Sequence, residues 1–110
     1  MEISEEQKDG VLTLGLSGKL DVTSSKAFED RILGVIDAGA RQLVVDLSRL
    51  DYVSSSGLRV FLLATKRLKS ANGKIVLCSL KDPVREVFDI AGFSSIFSVY
   101  GSHEEALKNL

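Results

Sequence analysis

Short apolar runs, each about as long as one strand, recur along the chain. Leu43–Leu47 and Lys74–Ser79 are apolar enough to be strands buried on both faces of a sheet. Val11–Leu16 also has a strand's composition, and the Asp9-Gly10 pair before it is a strong hairpin signal. The pattern therefore predicts a sheet, and two weaker strand candidates extend it: the charged edge strand Ile3–Lys8 and the short final strand Ile96–Tyr100.

The segments between these runs have helical periodicity. The first predicted helix follows the candidate N-caps Thr23, Ser24 and Ser25, runs through Phe28, Ile32, Val35 and Ile36, and ends near Gly39. The second runs from Ser54–Ser56 to Asn72-Gly73, and the third has Asp82 as its predicted N-cap, Pro83 at its first position and Gly92 at its end. The last is His103–Leu110 behind a Ser102–Glu105 capping box. Two other segments, Gly18–Asp21 and Ser48–Val53, are expected to lie outside the sheet as links. The order β-β-α-β-α-β-α-β-α predicts one α/β domain over residues 1–110, with a mixed four- to five-stranded sheet packed against about four helices.

Composition limits the kinds of partner that this chain can have. Its net charge is −1 and its 14 basic residues are spread along the sequence, which argues against nucleic acid as the main partner. A single cysteine, Cys78, allows no internal disulfide and fits a reducing compartment. The acidic start is unlike a signal peptide, and no apolar run approaches the ~18 residues that cross a bilayer. We therefore expect a cytoplasmic protein without a membrane partner.

Three groups of residues suggest an active site at first sight, and each is better explained as structural. Gly15–Lys19 has too few residues between its glycines for a phosphate loop. His103 is the only histidine and belongs to the predicted capping box, so acid–base or metal chemistry has no partner there. Asp21, Asp46 and Asp51 lie near strand ends, as phospho-acceptor or metal-binding carboxylates do, but no lysine sits where a receiver-type domain would need it. The sequence thus predicts no enzyme, no cofactor and no metal.

The segment between the central strand and the second helix has an unusual composition. Ser54, Ser55 and Ser56 precede Gly57 at the carboxyl edge of the predicted sheet. One serine is a common helix cap, because its oxygen accepts a hydrogen bond from an unpaired backbone N–H, and Ser54 is the candidate for this role. Three in succession at a helix N-terminus, which favours negative charge, also fit a phosphorylation or anion site. Sequence physics alone leaves both interpretations open.

This region also resembles a known family. VVDLSRLDYVSSSGLRVFL, with Gly18-Lys19-Leu20-Asp21 upstream, resembles the signature of the STAS family, the domain shared by sulfate transporters and bacterial anti-sigma factor antagonists. The similarity continues through Lys74–Ser79 and Val84–Phe93. It implies a single STAS domain that binds an anti-sigma factor serine kinase and releases a sigma factor. Phosphorylation would switch the protein off, and a phosphatase would restore it.

The resemblance also implies which residues act. Ser55 stands at the position of the family's phosphoserine, with Ser54 and Ser56 as alternative acceptors. A common form of the family pattern is Asp-Ser-Ser-Gly, and in this chain Ser54 replaces the aspartate. Helical spacing places Arg59 and Leu63 on the face of the second helix that points away from the sheet. The predicted partner surface consists of Asp21, Ser54, Ser55, Ser56, Gly57, Arg59 and Leu63.

Two other functional classes remain open at this point. A STAS domain can be a scaffold or regulatory subunit, without phosphorylation, in a stress-signalling or transport complex. It can also be a module that binds a nucleotide or another small molecule.

Overall fold

The computed structural model describes residues 1–110 as five strands and four α-helices. The strands are β1 (Glu2–Lys8), β2 (Val11–Leu20), β3 (Gln42–Val53), β4 (Lys74–Cys78) and β5 (Val99–Tyr100). The helices are α1 (Ser25–Asp37), α2 (Ser55–Ser70), α3 (Asp82–Ile90) and α4 (His103–Lys108), and a 3₁₀ turn covers Phe93–Ser95. The strands lie side by side in the order β1-β2-β3-β4-β5. β1 is antiparallel to β2, and all other neighbouring pairs are parallel, so the predicted fold class is confirmed.

The main core lies between the sheet and three of the helices. Phe28 of α1, Phe61 of α2 and Phe88 of α3 are fully buried, and their rings are in contact. On the opposite face, Ala106 of α4 packs in a small cluster with Val44, Val76 and Cys78. Because β3 and β4 are covered on both faces, their apolar residues need not alternate with polar ones.

Two strands are longer than the apolar pattern predicted. β2 continues to Leu20 and β3 continues to Val53, so Gly18–Asp21 and Ser48–Val53 are not links, apart from Asp21 itself. The two extensions pair with each other, and the register shifts at Gly15/Ser17 and Gly18/Lys19. These irregularities interrupt the alternation of apolar and polar residues, which is the signal by which a strand is read from sequence.

Other boundaries differ by smaller amounts. The last strand is only Val99–Tyr100, because Ile96 follows the 3₁₀ turn and is 52% exposed. Lys81, not Asp82, is the N-cap of α3, so Asp82 lies in the first turn, where its charge suits the helix dipole. The predicted cap of α4 is present, since Ser102 Oγ accepts a hydrogen bond from the backbone N–H of Glu105. None of the helices has the length and apolar character that crossing a bilayer requires.

Candidate functional site

The three serines lie where β3 ends and α2 begins. Val53 and Leu58 are buried on either side and fix the backbone around them. The N–H of Ser54 donates to the carbonyl oxygen of Leu20 at 2.8 Å, which holds the end of β3 against the end of β2. The Oγ of Ser54 accepts a hydrogen bond from the N–H of Gly57 at 3.2 Å. Ser54 is therefore the N-cap of α2, as predicted.

A row of hydroxyl groups connects this cap to the start of α1. Ser54 Oγ lies 2.8 Å from Ser56 Oγ, which lies 2.9 Å from Ser25 Oγ. Ser25 Oγ donates to the carbonyl oxygen of Asp21 at 2.6 Å. Ser25 and Ser54 are buried, with 6% and 9% of their surface exposed. Ser54, Ser56 and Ser25 form a hydroxyl chain between two helices that are distant in sequence.

The direction of every hydrogen in the hydroxyl chain follows from the number of hydrogens available. A serine hydroxyl has one hydrogen to donate. Ser25 uses its hydrogen on the Asp21 carbonyl, so Ser56 must donate to Ser25. Ser54 must then donate to Ser56 while it accepts from the Gly57 N–H. The hydroxyl hydrogens of Ser54 and Ser56 are thus both held inside the protein.

Ser55 differs from both of its neighbours. It is the first residue of α2, it is exposed, and its side chain makes no hydrogen bond within the chain. Its hydroxyl has no capping role because Ser54 fills that role. Of the three serines, Ser55 is the one whose Oγ is free to react with an external group.

Gly57 is required for packing. It is buried, and a Cβ atom added to it would lie 2.7 Å from Leu20 Cγ and 3.1 Å from Val53 Cγ2. These contacts are shorter than side chains tolerate, so only glycine lets the first turn of α2 lie this close to β2 and β3. Gly57 and Ser54, two of the predicted partner residues, are both buried, so they can affect a partner surface only by positioning the first turn of α2.

Asp21 lies in the turn between β2 and α1. Its Oδ1 accepts hydrogen bonds from the hydroxyl and the N–H of Thr23, at 2.7 and 3.0 Å, and from the N–H of Ser24. The bond from the Thr23 hydroxyl is the main cause that lowers the pKa of Asp21, and the bonds from Ser24 add to it. The carboxylate is therefore ionised at neutral pH. The Asp21 backbone is joined to Ser56 through Ser25, so the structure brings this predicted residue to the site.

Arg59 and Leu63 lie along the side of α2 that borders α1. The guanidinium of Arg59 is 3.8 Å from Glu29, and that of Arg67 is 2.8 Å from Asp37, both acids being on α1. Leu63 lies one turn from each arginine and is half-buried, outside the main core. The Arg59 side chain is 71% exposed and its ion pair is long, so it is available to a partner. Leu63 is accessible only in part.

The other candidate groups have separate structural tasks. Asp46 accepts a hydrogen bond from the N–H of Ser48, and Asp51 pairs with Lys81 at 2.6 Å. His103 Nε2 lies 2.8 Å from Thr13 Oγ1, a bond that joins α4 to β2. No three histidine, cysteine or acidic side chains converge as metal ligands do.

Three further residues at this edge of the sheet lie outside the predicted site: Ser25, Val22 and Tyr52. The sequence pattern predicts only a possible cap role for Ser25, and its link to Ser56 spans 31 positions, beyond the reach of local patterns. Val22 follows Asp21 and is 77% exposed, and Tyr52 comes two residues before Ser54 and is 46% exposed. Single exposed apolar residues are common, which is why neither attracts notice in a sequence.

The family model of the STAS domain matches residues 2–106, which is nearly the whole chain. This chain belongs to the STAS domain family. BtrV of Bordetella bronchiseptica, which carries a provisional name as an anti-sigma factor antagonist, is 45% identical over 96% of this chain and 91% of that protein. An anti-sigma F factor antagonist from Paenibacillus polymyxa is 30% identical over 100% of this chain and 95% of that protein.

Two solved structures show the same fold. The anti-sigma factor antagonist SpoIIAA, in its unphosphorylated form, has a TM-score of 0.86 at 24% identity and covers 98% of this chain and 95% of that one. The structure of the Bacillus cell fate determinant SpoIIAA in its phosphorylated form has a TM-score of 0.77 at 23% identity, and the match covers 98% of each chain. At these identities the likeness shows the fold.

Proposed function

We propose that this STAS domain is an anti-sigma factor antagonist that acts in the cytoplasm. It binds an anti-sigma factor that is also a serine kinase, frees the sigma factor, and is switched off when the kinase phosphorylates Ser55. Two relatives that carry the antagonist name match nearly their whole length. SpoIIAA, which shares the fold, has been solved with and without phosphorylation.

The observation that carries the proposal is the contrast among the three serines. Ser54 and Ser56 are engaged in the hydroxyl chain, whereas Ser55 is exposed and unbonded. In the transfer, the Oγ of Ser55 forms a bond to the γ-phosphorus of ATP and the bond from that phosphorus to ADP breaks. The hydroxyl proton passes to a base of the kinase. Of the serines at this site, Ser55 can take part without any loss of internal hydrogen bonds.

The added phosphate changes the surface more than it changes the fold. It brings about −1.5 to −2 charges, and the N-terminus of a helix stabilises negative charge. The ionised Asp21 lies at the same edge of the sheet, so the modified surface becomes strongly acidic. A partner that fits the neutral serine then meets an uncompensated charge, and the complex dissociates.

The partner surface that we propose combines charged and apolar residues. Asp21, Ser55 and Arg59 are its accessible polar groups, and Val22, Tyr52 and the half-buried Leu63 add apolar contacts. Tyrosine and arginine often contribute most to binding energy at protein interfaces. None of the four surface cavities is lined by Asp21 or by residues 53–59, so no observation favours a nucleotide site here.

Phosphate incorporation tests the acceptor. The anti-sigma factor kinase of the same organism is incubated with ATP and with wild-type protein, Ser54→Ala, Ser55→Ala or Ser56→Ala, after each variant has been shown to fold. Only Ser55→Ala should lose the label. Normal labelling of that variant would show that the acceptor is another residue.

Binding is tested separately with purified proteins. The unphosphorylated protein should retain the anti-sigma factor on a column and displace its sigma factor, and the phosphorylated protein should do neither. Treatment with a serine phosphatase should restore both activities. Retention of the anti-sigma factor by fully phosphorylated protein would contradict the proposed switch.

A further inference from the structure

Ser25 is a buried hydroxyl that reaches the site from another helix. It is the first residue of α1 and 6% exposed, and it lies 2.9 Å from Ser56 and 2.6 Å from the Asp21 carbonyl oxygen. A buried hydroxyl needs hydrogen-bond partners, and Ser25 has two. Its position between them makes it the last member of the hydroxyl chain, and it is the one that fixes the direction of the hydrogens.

We infer that Ser25 is a specificity-determining residue that restricts phosphoryl transfer to Ser55, an inference that rests on the proposed function. A serine can accept a phosphoryl group only if its hydroxyl proton is delivered to a base of the kinase. Ser25 accepts the hydrogen of Ser56 and so withholds that proton from an outside base. Ser56 is only half-buried, so burial alone does not protect it.

Loss of the Ser25 hydroxyl has different consequences for the other two serines. Ser56 loses the acceptor of its hydrogen, and its hydroxyl can then turn outward. Ser54 remains buried and still accepts the Gly57 N–H as the cap of α2. Ser56 and not Ser54 therefore becomes able to accept a phosphoryl group, and Ser54 serves as an internal control.

The size of the effect follows from one hydrogen bond. A neutral hydrogen bond contributes about 0.5–1.5 kcal/mol net. This corresponds to a rise of about two- to tenfold in the ratio of phospho-Ser56 to phospho-Ser55. A purely structural role would change the rate of labelling at all sites, whereas this role changes the distribution among them.

The experiment maps phosphate by mass spectrometry after labelling with ATP and the anti-sigma factor kinase. Wild type, Ser25→Ala, Ser25→Thr and Ser24→Ala are compared after thermal denaturation has shown that each is folded. Ser25→Ala should raise the phospho-Ser56 share, and Ser25→Thr, which keeps the hydroxyl, should restore the wild-type distribution. Ser24→Ala is the matched control, because Ser24 Oγ bonds to the Lys19 carbonyl and to Asp21 but not to Ser56.

A folded Ser25→Ala protein labelled on Ser55 alone would overturn the inference, as would an equal rise in Ser24→Ala. If Ser25→Ala does not fold, Ser25→Cys takes its place, since its thiol is close in size but a weak hydrogen-bond group. It should shift the distribution in the same direction, and an unchanged distribution would again overturn the inference. Absence of phosphate on Ser55 in the wild type would instead contradict the proposed function.

Discussion

The three serines at the start of α2 differ in what they contribute to the fold. Ser54 caps the helix, Ser56 belongs to the hydroxyl chain, and Ser55 does neither. A substitution at Ser55 can therefore change recognition without loss of an internal hydrogen bond. The same kind of change at Ser54 removes a cap.

We expect Ser55→Asp to abolish binding of the anti-sigma factor and to leave stability nearly unchanged. The added charge at the helix N-terminus shifts the free energy of unfolding by only about 0.3–1 kcal/mol. Ser54→Ala is the matched control and should lower stability by about 0.5–2 kcal/mol, because it removes the cap. Urea denaturation and a binding assay on both variants measure the two effects. Gross unfolding of Ser55→Asp would show that Ser55 is structural.

Local rules were sufficient to predict the cap but not the hydroxyl chain. The place of Ser54 before a helical pattern predicts its cap role, since capping depends on residues three positions apart. Ser25 and Ser56 are 31 positions apart, and they meet only because β2 and β3 are adjacent and parallel. No pattern within one element contains that information.

At the scale of elements, the position of α2 depends on how closely its first turn approaches the sheet. Gly57→Ala should destabilise the protein by about 1–3 kcal/mol, because the new methyl group overlaps Leu20 and Val53. Gly34→Ala in α1 is the control, since nothing lies within 4 Å of an added Cβ there. That change should stabilise the helix by up to about 1 kcal/mol. Equal effects of the two substitutions in thermal or urea denaturation would disprove the packing role of Gly57.

The side of α2 that borders α1 gives a second prediction at this scale. Leu63→Ala should weaken partner binding by about 1 kcal/mol or more, with a smaller loss of stability than a core leucine shows. Leu68→Ala, at a fully buried position of the same helix, should cost about 2–5 kcal/mol of stability. Both quantities are measured on each variant. A Leu63→Ala protein that loses stability but binds normally once folded would exclude Leu63 from the interface.

The order of strands and helices was predictable, but the ends of two strands were not. Apolar runs in Leu43–Leu47 and Lys74–Ser79 predict buried strands, and the structure covers both faces of each strand. Beyond Leu47, β3 carries Ser48, Arg49 and Asp51 on exposed positions and looks like a loop in sequence. Its strand conformation comes from pairing with β2, which is a tertiary effect.

At the scale of the whole molecule, ionisation of the Cys78 thiol is coupled to unfolding of the protein. Cys78 is fully buried between the sheet and α4, and this burial raises the pKa of the thiol to about 11. An unfolded cysteine has a pKa of about 8.5. Between these values the unfolded chain loses the thiol proton and the folded protein keeps it, so stability falls as pH rises from about 8.5 towards 11.

Comparison with Cys78→Ala isolates this contribution. Other groups also titrate at high pH, so the measured quantity is the difference in the free energy of unfolding between wild type and variant. At pH 9.5, the free energy of unfolding of the wild type should have fallen relative to that of the variant by roughly 1 kcal/mol compared with pH 7. Urea denaturation at both pH values provides the measurement. A difference that does not change with pH would mean that the Cys78 thiol has the same pKa in the folded protein as in the unfolded chain.

The strand order β1-β2-β3-β4-β5 has a consequence for how the protein is made. Each strand pairs with the one synthesised just before it, so a chain that leaves the ribosome N-terminus first can extend its sheet without waiting for distant segments. Pairing between sequence neighbours also favours rapid folding. Ser25, Ser54, Ser55 and Ser56 all precede β4. The nascent chain therefore contains the partner surface proposed above when only about two-thirds of this domain has emerged, before α3, β5 and α4 exist.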